Sequence, residues 1–175
     1  MAAPINPGSA KTFGREKWIF VPTIANTAAP TSAELTAGTT LDISCYLFDE
    51  FARPTKQTNT VTKNRRVCDT VQYQQIGVTQ YEGGDLLMAW DPQSAAASNG
   101  KKAWEKFVSG ATGYLVRRQG IDVNTDIAVG QFVDMLPVEI SATMPGTAGD
   151  GESAEAAFMA TYTVTAAPVW NKAVV

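Results

Sequence analysis

The sequence predicts a mainly β fold: an antiparallel β-sandwich or barrel with one flanking α-helix over about residues 100–110, a long inter-strand loop and extended terminal arms. Three observations predict it. Apolar and polar residues alternate with period two in 41–48 and again in 157–166, the pattern of half-buried strands. One stretch, 100–120, shows helical spacing, and it runs straight into a strand. Pro, Gly and Asn punctuate the remainder.

One domain accounts for 175 residues. A domain of that size buries roughly 70% of its unfolded surface, enough for a core without staples. Charged residues make up 18%, below the roughly 25% common in soluble domains. Thr, Ser, Gln, Asn and Ala fill the gap, a surface that suits burial against neighbours. The net charge of −3 comes without the basic stripe by which proteins grip nucleic acid. It suits a surface past which DNA slides without sticking. Histidine is absent, which removes the usual proton-transfer group near neutral pH and the commonest metal ligand. Cys45 and Cys68 cannot form a zinc site without other soft ligands. They read as reduced, buried thiols, with a disulfide between them as the alternative. No cofactor is implied. Residues 1–10 lack the apolar stretch of a signal peptide, and no apolar run approaches the ~18 residues of a membrane span. The expectation is a protein made and assembled in a cytoplasm, with no membrane partner.

Taken in order, residues 1–16 form an arm, small and polar with Pro4, Pro7, Gly8 and Gly14. Residues 18–24 are the first strand, placed at an edge or cut short by Pro22. Residues 25–40 are a loop turned by Gly38. In 41–48, Leu41, Ile43, Cys45 and Leu47 share one face. Residues 49–66 are a long polar excursion carrying Arg53, Lys56, Lys63, Arg65 and Arg66, with enough Thr and Val to form a strand once paired. Residues 67–81 and 86–90 read as a hairpin turned at 82–85. The helix starts at a cap near Ser98 or Asn99, packs Ala103, Trp104, Phe107, Val108 and Ala111 on the sheet, and stops at Gly110 or Gly113. Strands follow at 114–118, 132–143 and 157–166, with an acidic flexible turn at 145–155. In the last strand Phe158, Ala160, Tyr162 and Val164 face the core. A tail, 167–175, carries Trp170. Trp18 and Trp170 either anchor arms on neighbouring chains or pack locally.

This order of elements resembles the tail tube proteins (major tail proteins) of long non-contractile-tailed phages. Three segments carry the resemblance: Ala33-Glu34-Leu35-Thr36-Ala37-Gly38 before the strand from Leu41, the polar loop after Phe48-Asp49, and Ala103-Trp104-Glu105-Lys106-Phe107 followed by Gly113-Tyr114-Leu115-Val116-Arg117. The resemblance implies one tail-tube domain over 1–175 whose copies close into hexameric rings. The rings stack into a hollow tube in the virion tail, built in the host cytoplasm. It implies that the 49–66 loop reaches the next ring, through Arg53, Lys56, Lys63, Arg65 and Arg66, and that terminal arms bridge subunits. It implies a lumen for which Glu82, Asp85, Asp134 and Glu139 are lining candidates. The partners implied are the chain itself, a tape-measure protein, tail terminator and tail-tip proteins, and double-stranded DNA passing without specific binding. The role implied is structural, with no catalytic residues.

Two readings from other classes stand beside this one. The first is a virion decoration or adhesion module on a β-sandwich, which has less need of the long polar loop. The second is a carboxylate-dependent carbohydrate enzyme on a jelly roll, with Trp18, Trp90 and Trp170 as sugar platforms; it needs paired carboxylates in a cleft.

Overall fold

The computed structural model describes residues 8–49, 51 and 53–175. Part of the expected N-terminal arm, residues 1–7, and residues 50 and 52 of the long loop lie outside the described residues. The chain runs β1 (Glu16–Val21), α1 (Ser32–Leu35), β2 (Leu41–Asp42), β3 (Thr55–Thr62), β4 (Gln74–Glu82), β5 (Gly84–Ala89), α2 (Lys102–Lys106), β6 (Thr112–Gln119), β7 (Phe132–Ala148), β8 (Glu155–Val164) and β9 (Val169–Ala173). Seven strands form one curled antiparallel sheet in the order β2-β1-β6-β7-β8-β5, and β9 also pairs with β7. Strands β3 and β4 form a separate two-stranded sheet. The expected mainly β architecture is what the chain adopts.

The large sheet is covered on both faces, but unequally. On the first face, Trp18, Phe20, Leu115, Leu136, Val138, Ile140, Phe158, Ala160 and Tyr162 meet Ala103 from α2, Phe107 just beyond it and Ile43 from the turn after β2. The period-two register of the last strand holds here, with Phe158, Ala160 and Tyr162 all buried. On the second face, Ile19, Val21, Val116, Val133 and Met135 are covered by Leu35 of α1, Ile127 and the C-terminal Val174. That cover reaches β1, β6 and the first residues of β7 only.

The second core is closed by two cations. Lys17 and Arg118 lie opposite each other on β1 and β6, a like-charge pair that is unfavourable on an open sheet. Here the loop after β6 folds over them and turns its carbonyls inward. Arg118 is fully buried and donates to the carbonyls of Asp122, Thr125 and Asp126 and to Oε1 of Gln131. Lys17 donates to the carbonyls of Val123 and Thr125 and pairs with Asp42 at 3.0 Å. Burial pushes the Asp42 carboxyl up, but hydrogen bonds from Ser44 and the Lys17 ammonium outweigh it and leave it below the usual range.

Several expected elements differ, each for a local reason. The strand expected over 41–48 stops at Asp42. Oδ1 of Asp42 accepts from the backbone N–H and hydroxyl of Ser44, an Asx turn, and a helical turn follows as Tyr46 and Leu47 donate to Ile43. Cys45 on that turn is therefore exposed rather than buried, and Cys68 is exposed as well; neither is paired. The loop at 25–40 contains α1, held by a capping box in which Thr31 and Glu34 exchange hydrogen bonds. The turn expected at 145–155 is shorter, because β7 continues to Ala148 against β8. The tail is a strand: β9 pairs with β7, and Val175 bonds Pro30 and Ser32.

The helix is also shorter than predicted. Helix α2 ends at Lys106, and Phe107 has left helical dihedrals at φ −93°, ψ 53°. Gly110, at φ +84°, then turns the chain so that its N–H bonds Ile140 at 2.7 Å. Phe107 is fully buried and Trp104 stacks on Trp90 with centroids 4.3 Å apart. Val108 does not join them. It falls beyond the helix and is 51% exposed, so it is not a core residue.

Phe107→Ala should cost about 3–5 kcal/mol and Val108→Ala stay within about 0.5 kcal/mol, read from urea midpoints; similar losses at both would contradict this packing. Asp42→Asn should lower the thermal midpoint at pH 7. Because the folded carboxyl titrates below its unfolded value, the Asp42 contribution is present above the ordinary carboxylate pKa and lost as pH falls through the depressed one. The gap between variant and wild type should close toward pH 3; a gap that stays constant with pH would refute the assignment.

Candidate assembly surfaces

The long polar loop is a β-hairpin that leaves the body. Thr55 pairs with Glu82, Gln57 with Gln80 and Thr62 with Gln74, with an irregularity between Thr58 and Thr60. The turn expected at 82–85 does not form, because β4 pairs with β3 and β5 pairs with β8. Gly83 marks the exit. A Cβ there would lie 1.8 Å from the carbonyl oxygen of Tyr162, so only glycine lets the chain pass β8 this closely.

All eight residues of β3 are exposed, and β4 is nearly so. Ile76 and Val78 are 79% and 67% exposed. The pairing places Lys56, Thr58 and Thr60 on one face with their partners Tyr81, Thr79 and Ile76, and Gln57 and Gln80 on the other. At the tip, the backbone N–H of Lys63 bonds Tyr73. A turn across 66–69 is held by Asp69, which accepts from the Arg66 N–H. Val67 at its apex is fully exposed.

A second surface is the half of the second sheet face that α1 and the C-terminus leave open. Adjacent strands set its residues in rows: Thr112, Glu139 and Thr163; then Ala142, Thr161 and Asp85; then Met144, Met159 and Leu87. The Thr161 hydroxyl donates to Asp85 at 2.6 Å. Strands β5, β7 and β8 contain no Lys or Arg.

A family model described as phage tail tube protein matches residues 3–175. The chain belongs to the phage tail tube protein family. Its tail-tube fold is also similar to a chain of the anti-feeding prophage (AFP) baseplate, solved by cryo-EM with six-fold symmetry imposed. That match covers 97% of this chain and 98% of the other, with TM-score 0.51 and 9% identity. The SPP1 tail tube, a hybrid solid-state NMR and cryo-EM structure, matches over 93% of this chain and 79% of its own, with TM-score 0.48 and 13% identity. No curated protein matches the sequence.

In the tail tube protein the residues singled out from sequence divide sharply. Lys56, Lys63, Arg65 and Arg66 stand exposed on the hairpin. Arg53 instead pairs with Glu16 at 3.1 Å and lies over the Phe51 ring, at the root of the hairpin. Asp85 and Glu139 share the open face. Glu82 sits at the hairpin base and accepts from Gln57. Asp134 lies on the other face, where Arg117 bonds it at 2.8 Å and the Asn171 N–H bonds its second oxygen. Trp18 is 4% exposed, and its ring is taken up by the first core of its own chain. Trp170 is 43% exposed. The sugar-platform reading loses Trp18 to burial and Trp90 to its stack with Trp104. Residues Lys17 and Arg118, on which the second face depends, were not singled out; the pattern Lys17-Trp-Ile-Phe gives no sign that its first residue is buried.

Asp134→Asn should cost about 2 kcal/mol, the scale of a charged hydrogen bond lost in a half-buried site. Glu139→Gln should leave stability within about 0.5 kcal/mol. Comparable losses in chemical denaturation would place both carboxylates in the same kind of setting and reject this division.

Proposed function

We propose that the tail tube protein acts as one domain over 1–175 whose copies close into rings of six, stacked into a hollow tube with the open sheet face lining the bore. The observation that carries this is the cation-free open face. Lining a bore with Asp85, Glu139, Thr161 and Thr163 gives DNA no ammonium or guanidinium to bind, and the carboxylates repel its phosphates. Asp134 and Glu82 are left out of this lining by their positions.

Ring closure also answers an edge problem. Beyond Ala142, β7 pairs only with β8 among the described residues, and an open edge invites pairing with another chain. A closed ring uses that edge and leaves none free. The six-fold symmetry of the AFP baseplate relative supports the stoichiometry. The hairpin, through Lys56, Lys63, Arg65 and Arg66, contacts the neighbouring ring. Trp170 contacts an adjacent subunit. A tape-measure protein occupies the bore during assembly, terminator and tip proteins close the two ends, and double-stranded DNA passes through. The role is structural, with no catalytic step.

Negative-stain electron microscopy of concentrated protein, with light scattering beside it, tests the reading. Rings or tubes of uniform bore are the expected result. A monodisperse monomer or trimer, unchanged by concentration or salt, would reject it.

A further inference from the structure

The hairpin and the rest of the chain carry opposite charge. Between Arg53 and Glu82 there are five cations and two carboxylates, a net +3, so the remainder carries −6 to reach the chain total of −3. An eight-residue strand at roughly 3.3 Å per residue holds the tip about 26 Å from its root. The hairpin's principal contact with the body is β4 against β8. A positive arm extended from a negative body is complementary to the body of another copy.

One body surface is complementary to the tip in charge and carries an apolar side. A pocket of about 300 Å³ is lined by Phe48, Asp49, Ala148, Gly149, Ser153 and Glu155. Phe48 and Ala148 give it an apolar side, and Asp49 and Glu155 are exposed carboxylates. The tip presents the converse: an apolar side chain, Val67, directly after Arg65 and Arg66 on a turn fixed by Asp69.

We infer that the hairpin tip of one copy seats in this pocket of a second copy, with Val67 against Phe48 and Ala148 and with Arg65 and Arg66 against Asp49 and Glu155. The inference rests on the tube reading above and names the docking point within it. Burial of Val67 supplies the apolar gain, and the two charge pairs fix the register. Because the charges sit at the rim, the contact weakens as salt rises.

Native Cys68 follows Val67 and is exposed, which gives a direct test. Cys45→Ser with Ser153→Cys leaves one thiol at the tip and one at the pocket. Seated tips bring their Cα atoms within the ~7 Å that a disulfide spans. Tubes of this variant, oxidised with copper–phenanthroline, should give a ladder of covalent multiples on a non-reducing gel, collapsed by reductant. Tubes that form but stay monomeric on the gel would overturn the docking point while leaving the tube reading intact. A wild-type chain that forms no rings or tubes would overturn both. In parallel, R65E/R66E should raise the concentration needed for tubes at least tenfold with an unchanged thermal midpoint. Mixing it with a D49K/E155K copy should restore growth. Tube growth by R65E/R66E alone at wild-type concentration would count against the inference.

Discussion

Strand β7 is the constraint on which the architecture depends. Its 17 residues must satisfy backbone hydrogen bonds along two edges, and three partners share the task. β6 takes one edge from Asp134 to Glu139, while β9 and then β8 take the other. The register shifts between Ile140 and Ala142, and such a bulge bends and twists a strand. The bend falls where β6 ends. Ser109 and Gly110 cover the freed carbonyls of Ser141 and Ile140 there, and the Thr143 hydroxyl donates to the carbonyl of Phe107. Downstream of the bend, β7 and β8 present a second face that nothing among the described residues covers.

The two faces are then a matter of reach. α1, the loop after β6 and the C-terminus are short, and all three cluster over β1 and β6. They can close the second core because Lys17 and Arg118 draw the loop down by its carbonyls. A buried cation is tolerated only when its donors are satisfied, and here the loop backbone satisfies most of them. Among the described residues no equivalent segment covers Asp85, Glu139 and Thr163. The tail tube protein is finished on one half of its sheet and left open on the other.

The sequence made much of this legible. Strict alternation from Phe158 to Val164 predicted the strand and its buried face, because a strand paired on both sides with one face on the core has little freedom. Trp104 and Phe107 were legible as sheet-packing residues because they lie on the apolar face of a short amphipathic stretch. The misreadings are also physical. Leu41, Ile43, Cys45 and Leu47 alternate like a strand, but Asp42 and Ser44 offer the backbone a turn that competes with the ladder. Val108 fits a helical wheel, and a wheel assumes the helix continues; Gly110 and the pull of Phe107 into the core end it early. The Thr31-Ser-Ala-Glu34 cap was visible in principle and marked α1. The hairpin was only half legible, since Thr-rich polar segments favour strands but do not reveal their partner. Which carboxylates share an open face depends on register between distant strands, and composition carries no trace of that.

The hairpin has no core of its own. A two-stranded ladder without a packed face is marginally stable in water, so its amides open and close far more often than those of β6 or β7. The conformational entropy of ordering it is not offset when the body folds, and a partner that held it would have to supply that cost. In the proposed tube, two free subunits that meet would have to order two loose arms for little contact, whereas a subunit joining a finished ring would meet surfaces already fixed. Growth on an existing end of the proposed tube would then be favoured over new starts.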